Sequence, residues 1–163
     1  MRTPVLSLLS VAGLLAALAA GPAQAAGVAE VQYQQPERYT DAGFGIAERE
    51  RTQALLTRQL EQLAQRLPDG QRLKVTFTDI DLAGEVDAFS PHRLRVMGQL
   101  PDAPRLTLQF ELTQDGQVVA RGEERLSDMA YLVRRSGLDS RAALPYESRL
   151  LSEWFEQRFA AAR

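Results

Sequence analysis

Asp79, Asp81 and Glu85 form the densest set of groups in this chain that could do chemistry. Carboxylates at this spacing can hold a hard divalent cation through oxygen ligands. They can also supply an acid and a base where their environments differ, and a suitably separated pair can cleave a glycosidic bond. Glu123, Glu124 and Asp128 form a second acidic group further along. The six residues make one candidate cluster if the fold brings them together. The plainer reading is polar strand ends facing water, since any half-exposed strand sets polar residues at alternate positions. Asp-x-Asp alone therefore assigns no catalytic residue, metal or cofactor.

The element that must position the first group runs over residues 73–85. Leu73, Val75 and Phe77 alternate with Lys74, Thr76 and Thr78, the period of a strand with one buried face. Ile80 and Leu82 continue the apolar set one position out of phase. One extra residue near Thr78, a β-bulge, accounts for the slip and turns Asp79 and Asp81 together to the other face. Asp69-Gly70 supplies a turn before the strand.

The remaining elements follow from periodicity and turn chemistry. Residues 28–34 read as a short strand with Val31 and Tyr33 on one face, stopped by Pro36. Gly43 and Gly45 imply a tight chain path, with Tyr39 and Phe44 covering a core edge. A helix over 47–67 carries one apolar stripe, Leu56, Leu60, Leu63 and Leu67, and Pro68 and Gly70 end it. Residues 93–97 read as a modest strand with Leu94 and Val96 inward. Residues 105–112 alternate cleanly, Asp115-Gly116 gives a hairpin turn, and 117–126 returns with Val118 and Ala120 inward. Ser127 and Asp128 suit the cap of a short helical turn. Arg134 and Arg135 could receive a carboxylate or phosphate, though a surface loop is the plainer reading. A second helix over 146–161 buries Leu150, Leu151, Trp154, Phe155 and Phe159.

These elements predict an α+β fold. It is a two-layer sandwich, with a mixed, mostly antiparallel sheet of four to five strands and two helices packed on one face. The first two strands and the helix between them make a βαβ unit, whose crossover is right-handed if the strands are parallel. The other sheet face, with Lys74, Thr76, Thr107, Gln109 and Glu111, is left wet and available for binding.

Composition narrows the function. Arg2, an apolar run over 5–20 and Ala23-Gln24-Ala25 read as a leader cleaved after residue 25, leaving 26–163 as a single domain without a membrane anchor. The expected destination is a bacterial periplasm. The chain has no Cys, which removes thiolate catalysis, thiolate metal sites and disulfides. His92 is its one histidine and follows Pro91 in a loop. A formal charge of −2, or −3 once Arg2 leaves, gives no footprint for nucleic acid. No nucleophile elbow, phosphate loop or zinc signature is present.

Three stretches together, VTFTDIDLAGE at 75–85, GEERLSDMAYL at 122–132 and YESRLLSEWF at 146–155, resemble a secreted proteobacterial family known as a domain of unknown function, number 3016. PERYTD at 36–41 matches less specifically. The resemblance implies export and a single domain, and brings no ligand or catalytic residue with it. The expectation is therefore a non-catalytic envelope protein that binds another envelope protein or a cell-wall component. The alternative is a carboxylate-based metal-binding protein or hydrolase acting on envelope glycans or phosphoesters. A chaperone-like role would need an exposed apolar groove.

Overall fold

The computed structural model describes residues 27–87, 89–90, 94–98, 102–134, 138 and 142–160. The leader expected over residues 1–25, His92 and Arg135 lie outside the described residues.

Period-two alternation becomes four strands of one sheet: β1 (Val28–Tyr33), β2 (Gln71–Asp81), β5 (Arg105–Gln114) and β6 (Gln117–Ser127), in the order β1-β2-β5-β6. Between β1 and β2 lies helix α1 (Gly45–Ala64). The first pair is parallel and the other two antiparallel. A separate two-stranded ribbon, β3 (Glu85–Val86) with β4 (Arg95–Val96), leaves the end of β2. Helix α2 (Pro145–Phe155) ends the fold and continues as a wider turn over Glu156–Ala160.

The phase slip in β2 is a bulge at Thr78: Phe77 pairs with Leu108 and Asp79 with Thr107. Ile80 consequently stays in the core with Leu73, Val75 and Phe77, all fully buried. The Phe77 carbonyl at the bulge accepts from Gln34 N and the Tyr39 hydroxyl, both at 2.9 Å. At the β5–β6 turn, Asp115 and Gly116 have φ of 52° and 83°, the left-handed pair that matches strand twist in a two-residue hairpin.

Both helices cover the same face. Leu56, Leu60 and Leu63 of α1, with Leu67 just past its end, are buried in one core with Leu150, Leu151, Trp154 and Phe155 of α2; the helix expected over 47–67 thus stops at Ala64. Each fully buried leucine contributes roughly 1.5–3 kcal/mol relative to exposure. Phe110, Trp154 and Phe159 meet edge to face at 5.4–5.7 Å, so Trp154 is a core residue. Gly122, opposite Phe110, leaves room for its ring; a Cβ there would sit 3.0 Å from Phe110 Cε1.

Three expectations fail locally. Leu94 and Val96 are exposed, because residues 95–96 pair with the β3 ribbon and never join the main sheet. Val118 is exposed, because a second register shift, between Leu112 and Thr113, turns it to the uncovered face while Ala120 stays inward. Phe44 is also exposed, since it caps α1 ahead of the first buried turn; Tyr39 alone covers the core edge.

Candidate functional site

The end of β2 carries a polar cluster built by pairing across the sheet. Asp81 lies opposite Arg105, and its Oδ2 takes Arg105 Nη2 at 2.8 Å and Nε at 3.1 Å. Burial nonetheless raises the Asp81 carboxyl above its ordinary range, with Arg105 opposing the shift. Asp79 is turned by the bulge toward Thr40 and accepts from its backbone N–H at 2.8 Å and its hydroxyl at 2.9 Å. Asp41 extends the sheet by a parallel bridge to Asp81. Its carboxylate takes Gly43 N at 2.9 Å and Arg95 Nη1 at 2.8 Å. That guanidinium also donates to the Gly84 carbonyl at 2.7 Å, and a positive φ of 76° makes Gly84 the residue suited to the turn.

Glu147, in the first turn of α2, is buried to 2% exposure and accepts from Ala83 N at 2.7 Å. Burial pushes its carboxyl up, against the pull of that hydrogen bond and of Arg95. Nearby, Asp102 accepts from Gly98 N at 2.7 Å and from the Tyr131 hydroxyl at 2.6 Å. Burial and this carboxylate push the Tyr131 phenol up to about 12. Part of this cluster lines an open cleft of about 530 Å³, whose wall includes Asp41, Phe44, Asp81, Glu85, Asp102 and Arg105. Glu85 is exposed at its edge.

The second acidic group does not reach this cleft, because β5 separates β6 from β2. Glu123 and Glu124, adjacent in sequence, point to opposite faces as strand geometry demands. Glu123 lies on the uncovered face. Glu124, on the helix side, accepts from Arg158 Nε at 2.6 Å. Asp128 is buried under the turn that follows β6. It takes Ala130 N at 2.9 Å, Arg149 Nη2 at 2.7 Å and Arg134 Nη1 at 3.3 Å. Arg134 thus receives a carboxylate from its own chain, and Glu153 as well, at 2.6 Å. Among the described residues, no three His, Cys, Asp or Glu side chains are set to hold a metal ion.

Sequence reasoning missed Glu147, Asp41, Arg95 and the Asp102–Tyr131 pair. Glu147 carried a readable signal: three and four residues before Leu150 and Leu151, it sits on the buried stripe of α2. The others come together only through tertiary contacts.

The uncovered face of the sheet is another open surface. A trough of about 580 Å³ runs over it, lined by Lys74, Thr76, Gln109, Glu111, Arg121 and Glu123.

A family model described as a protein of unknown function (DUF3016) matches residues 27–157. The chain belongs to this family. The match takes in every strand and helix α2, and so covers both the strand-end cleft and the uncovered face of this DUF3016 protein. No curated protein matches the chain.

Proposed function

We propose that this DUF3016 protein is an exported envelope protein that works as a non-catalytic binding module through the uncovered face of its sheet. One observation carries the reading. A four-stranded sheet buries one face under two helices and leaves a broad polar trough on the other. The carboxylates with catalytic spacing point the same way. Asp79, Asp81, Glu124 and Asp128 are each engaged by an arginine or by Thr40. A glycan hydrolase needs two carboxyl groups facing one scissile bond; of the carboxylates on the cleft wall, Asp81 is paired with Arg105, Asp41 with Arg95, and Asp102 accepts from the Tyr131 hydroxyl. The partner is an envelope protein or cell-wall component, and the leader signature over residues 1–25 supports export.

The test is photo-crosslinking in intact cells with a photoreactive residue at Gln109 and, as a control, at Arg51 on the exposed side of α1. The expected result is discrete adducts from position 109 in a periplasmic fraction and none from position 51. Equal, diffuse labelling from both positions, or retention in the cytoplasm, would sink the proposal.

A further inference from the structure

The strand register aligns three rows across the uncovered face. From β1 to β6 they read Val28–Arg72–Thr113–Val118, Glu30–Lys74–Glu111–Arg121 and Gln32–Thr76–Gln109–Glu123. The middle row alternates in charge, minus, plus, minus, plus. A sequence of that kind becomes its own complement when reversed. A twofold axis running along the strands between β2 and β5 reverses each row onto itself in a second molecule.

From this register we infer that the uncovered face binds a second copy of this chain, face to face about that axis. The inference rests on the proposed binding role of the face and names its partner. Glu30 then faces Arg121 of the other copy and Lys74 faces its Glu111, so every charge in the row meets its opposite. In the next row Gln32 faces Glu123 and Thr76 faces Gln109, which are hydrogen-bonding pairs. In the remaining row Val28 faces Val118, two valines that are exposed on opposite edges of the sheet, at 41% and 52%.

Stacked sheets keep their strands within about 30° of each other, so the inner Lys74–Glu111 pairs, nearest the axis, are displaced least. The face offers roughly 400–600 Å² per copy from strand spacing and rise. A standard interface buries about 800 Å² per partner. The dimer is accordingly weak, reversible and salt-sensitive. Charge complementarity sets its geometry more than its strength.

The row also dictates the experiment. Sedimentation of the mature protein over a concentration series at low salt should give a monomer–dimer equilibrium that salt weakens. Lys74→Glu or Glu111→Lys sets like charges face to face and should weaken the dimer by roughly tenfold or more. The two variants mixed together should dimerise again, because each supplies the charge the other lacks. The double variant K74E/E111K should self-associate for the same reason.

Each single variant also puts like charges side by side within its own row, so its fold is checked by thermal unfolding. A second measurement avoids charge reversal. The chain has no cysteine, so Gln32→Cys and Glu123→Cys give clean single thiols. Facing sheets stand about 10 Å apart, beyond direct disulfide reach, so a mixture of the two should be joined across copies by a short bis-maleimide that adds one thiol at each end. Neither should be joined in this way alone, because like positions then stand about 14 Å further apart along the row, three strand spacings.

The inference is overturned by a parent that is monomeric at every concentration, by a mixture of the charge variants that stays monomeric, or by bis-maleimide crosslinks that form as readily in either thiol variant alone. If crosslinks from position 109 capture another protein while the parent stays monomeric, this inference fails and the binding role stands. If position 109 captures nothing and the parent is monomeric, both fail.

Discussion

Asp128→Ala should cost much of the protein's stability, and the structure gives the amount. The carboxylate is 6% exposed and its main partner, Arg149, 13%. Loss of the bond from Ala130 N removes a cap interaction worth roughly 1 kcal/mol. The larger effect is on Arg149. Among the described residues its guanidinium would keep the Tyr131 and Arg134 carbonyls and the Tyr146 ring face, and its Nε is already buried without an acceptor. Breaking a buried pair from one side costs about 3–5 kcal/mol. The two surviving carbonyl contacts argue for the lower end. For a domain of this size, about 3 kcal/mol lowers Tm by roughly 10 °C. Asp128→Asn keeps the acceptor for Ala130 N and should fall between. Asp128→Ala with Arg149→Met removes the stranded charge, and should be more stable than the sum of the single changes implies. Differential scanning calorimetry of the parent, Asp128→Ala, Asp128→Asn, Arg149→Met and the double variant checks this. A Tm for Asp128→Ala within about 2 °C of the parent, or strict additivity in the double variant, would refute the buried-pair account and return Asp128 to the functional candidates.

Glu147 gives a pH signature. Its folded carboxyl is raised by burial, so the folded state holds its proton to higher pH than the unfolded chain. That contribution is fully present below the unfolded carboxyl range and is lost as pH rises through the folded value. Glu147→Gln keeps an acceptor for Ala83 N and should gain stability over the parent as pH rises from 4 to 8, read by urea unfolding; parallel curves would contradict the shift. Deleting Thr78 should leave a folded protein, since Phe77, Asp79 and Ile80 then meet Leu108, Thr107 and Leu106 in unbroken alternation. Deleting Thr76 instead throws Val75 and Phe77 out of phase and should abolish cooperative unfolding; circular dichroism melts compare the two. Gly122→Ala should lower Tm by several degrees and alter tryptophan fluorescence, because overpacking at 3.0 Å moves Phe110 against Trp154 and costs about 1–3 kcal/mol; a higher Tm would mean that the ring yields freely.

Much of this architecture was legible because it is written in local periodicity. Alternation in 73–77 and 105–112 marks strands whose buried residues are the ones expected. The single phase slip after Phe77 locates the bulge to the residue, because period two tolerates no insertion without exchanging faces. The reading failed where local pattern was short or displaced. Leu94 and Val96 have the right spacing for a core strand, but two residues of pairing in a ribbon bury nothing. Val118 looked inward because the hairpin was read without its own register shift.

The candidate site was less legible, and the reason is range. Residue types and alternation along the chain determined by themselves that Asp79 and Asp81 share a face and that the helices cover one side of a sheet. Tertiary structure alone decided that Arg105 neutralises Asp81, that Arg95 reaches Asp41, and that Glu147 is drawn under Ala83 from 64 residues away. Tertiary structure also decided that β5 stands between the two acidic groups, and it lined up the charge row across four strands. A side chain's face follows from a repeat of two or 3.6 residues, which neighbours in sequence enforce. Its partner follows from strand order and register, which are set only when distant segments pack together.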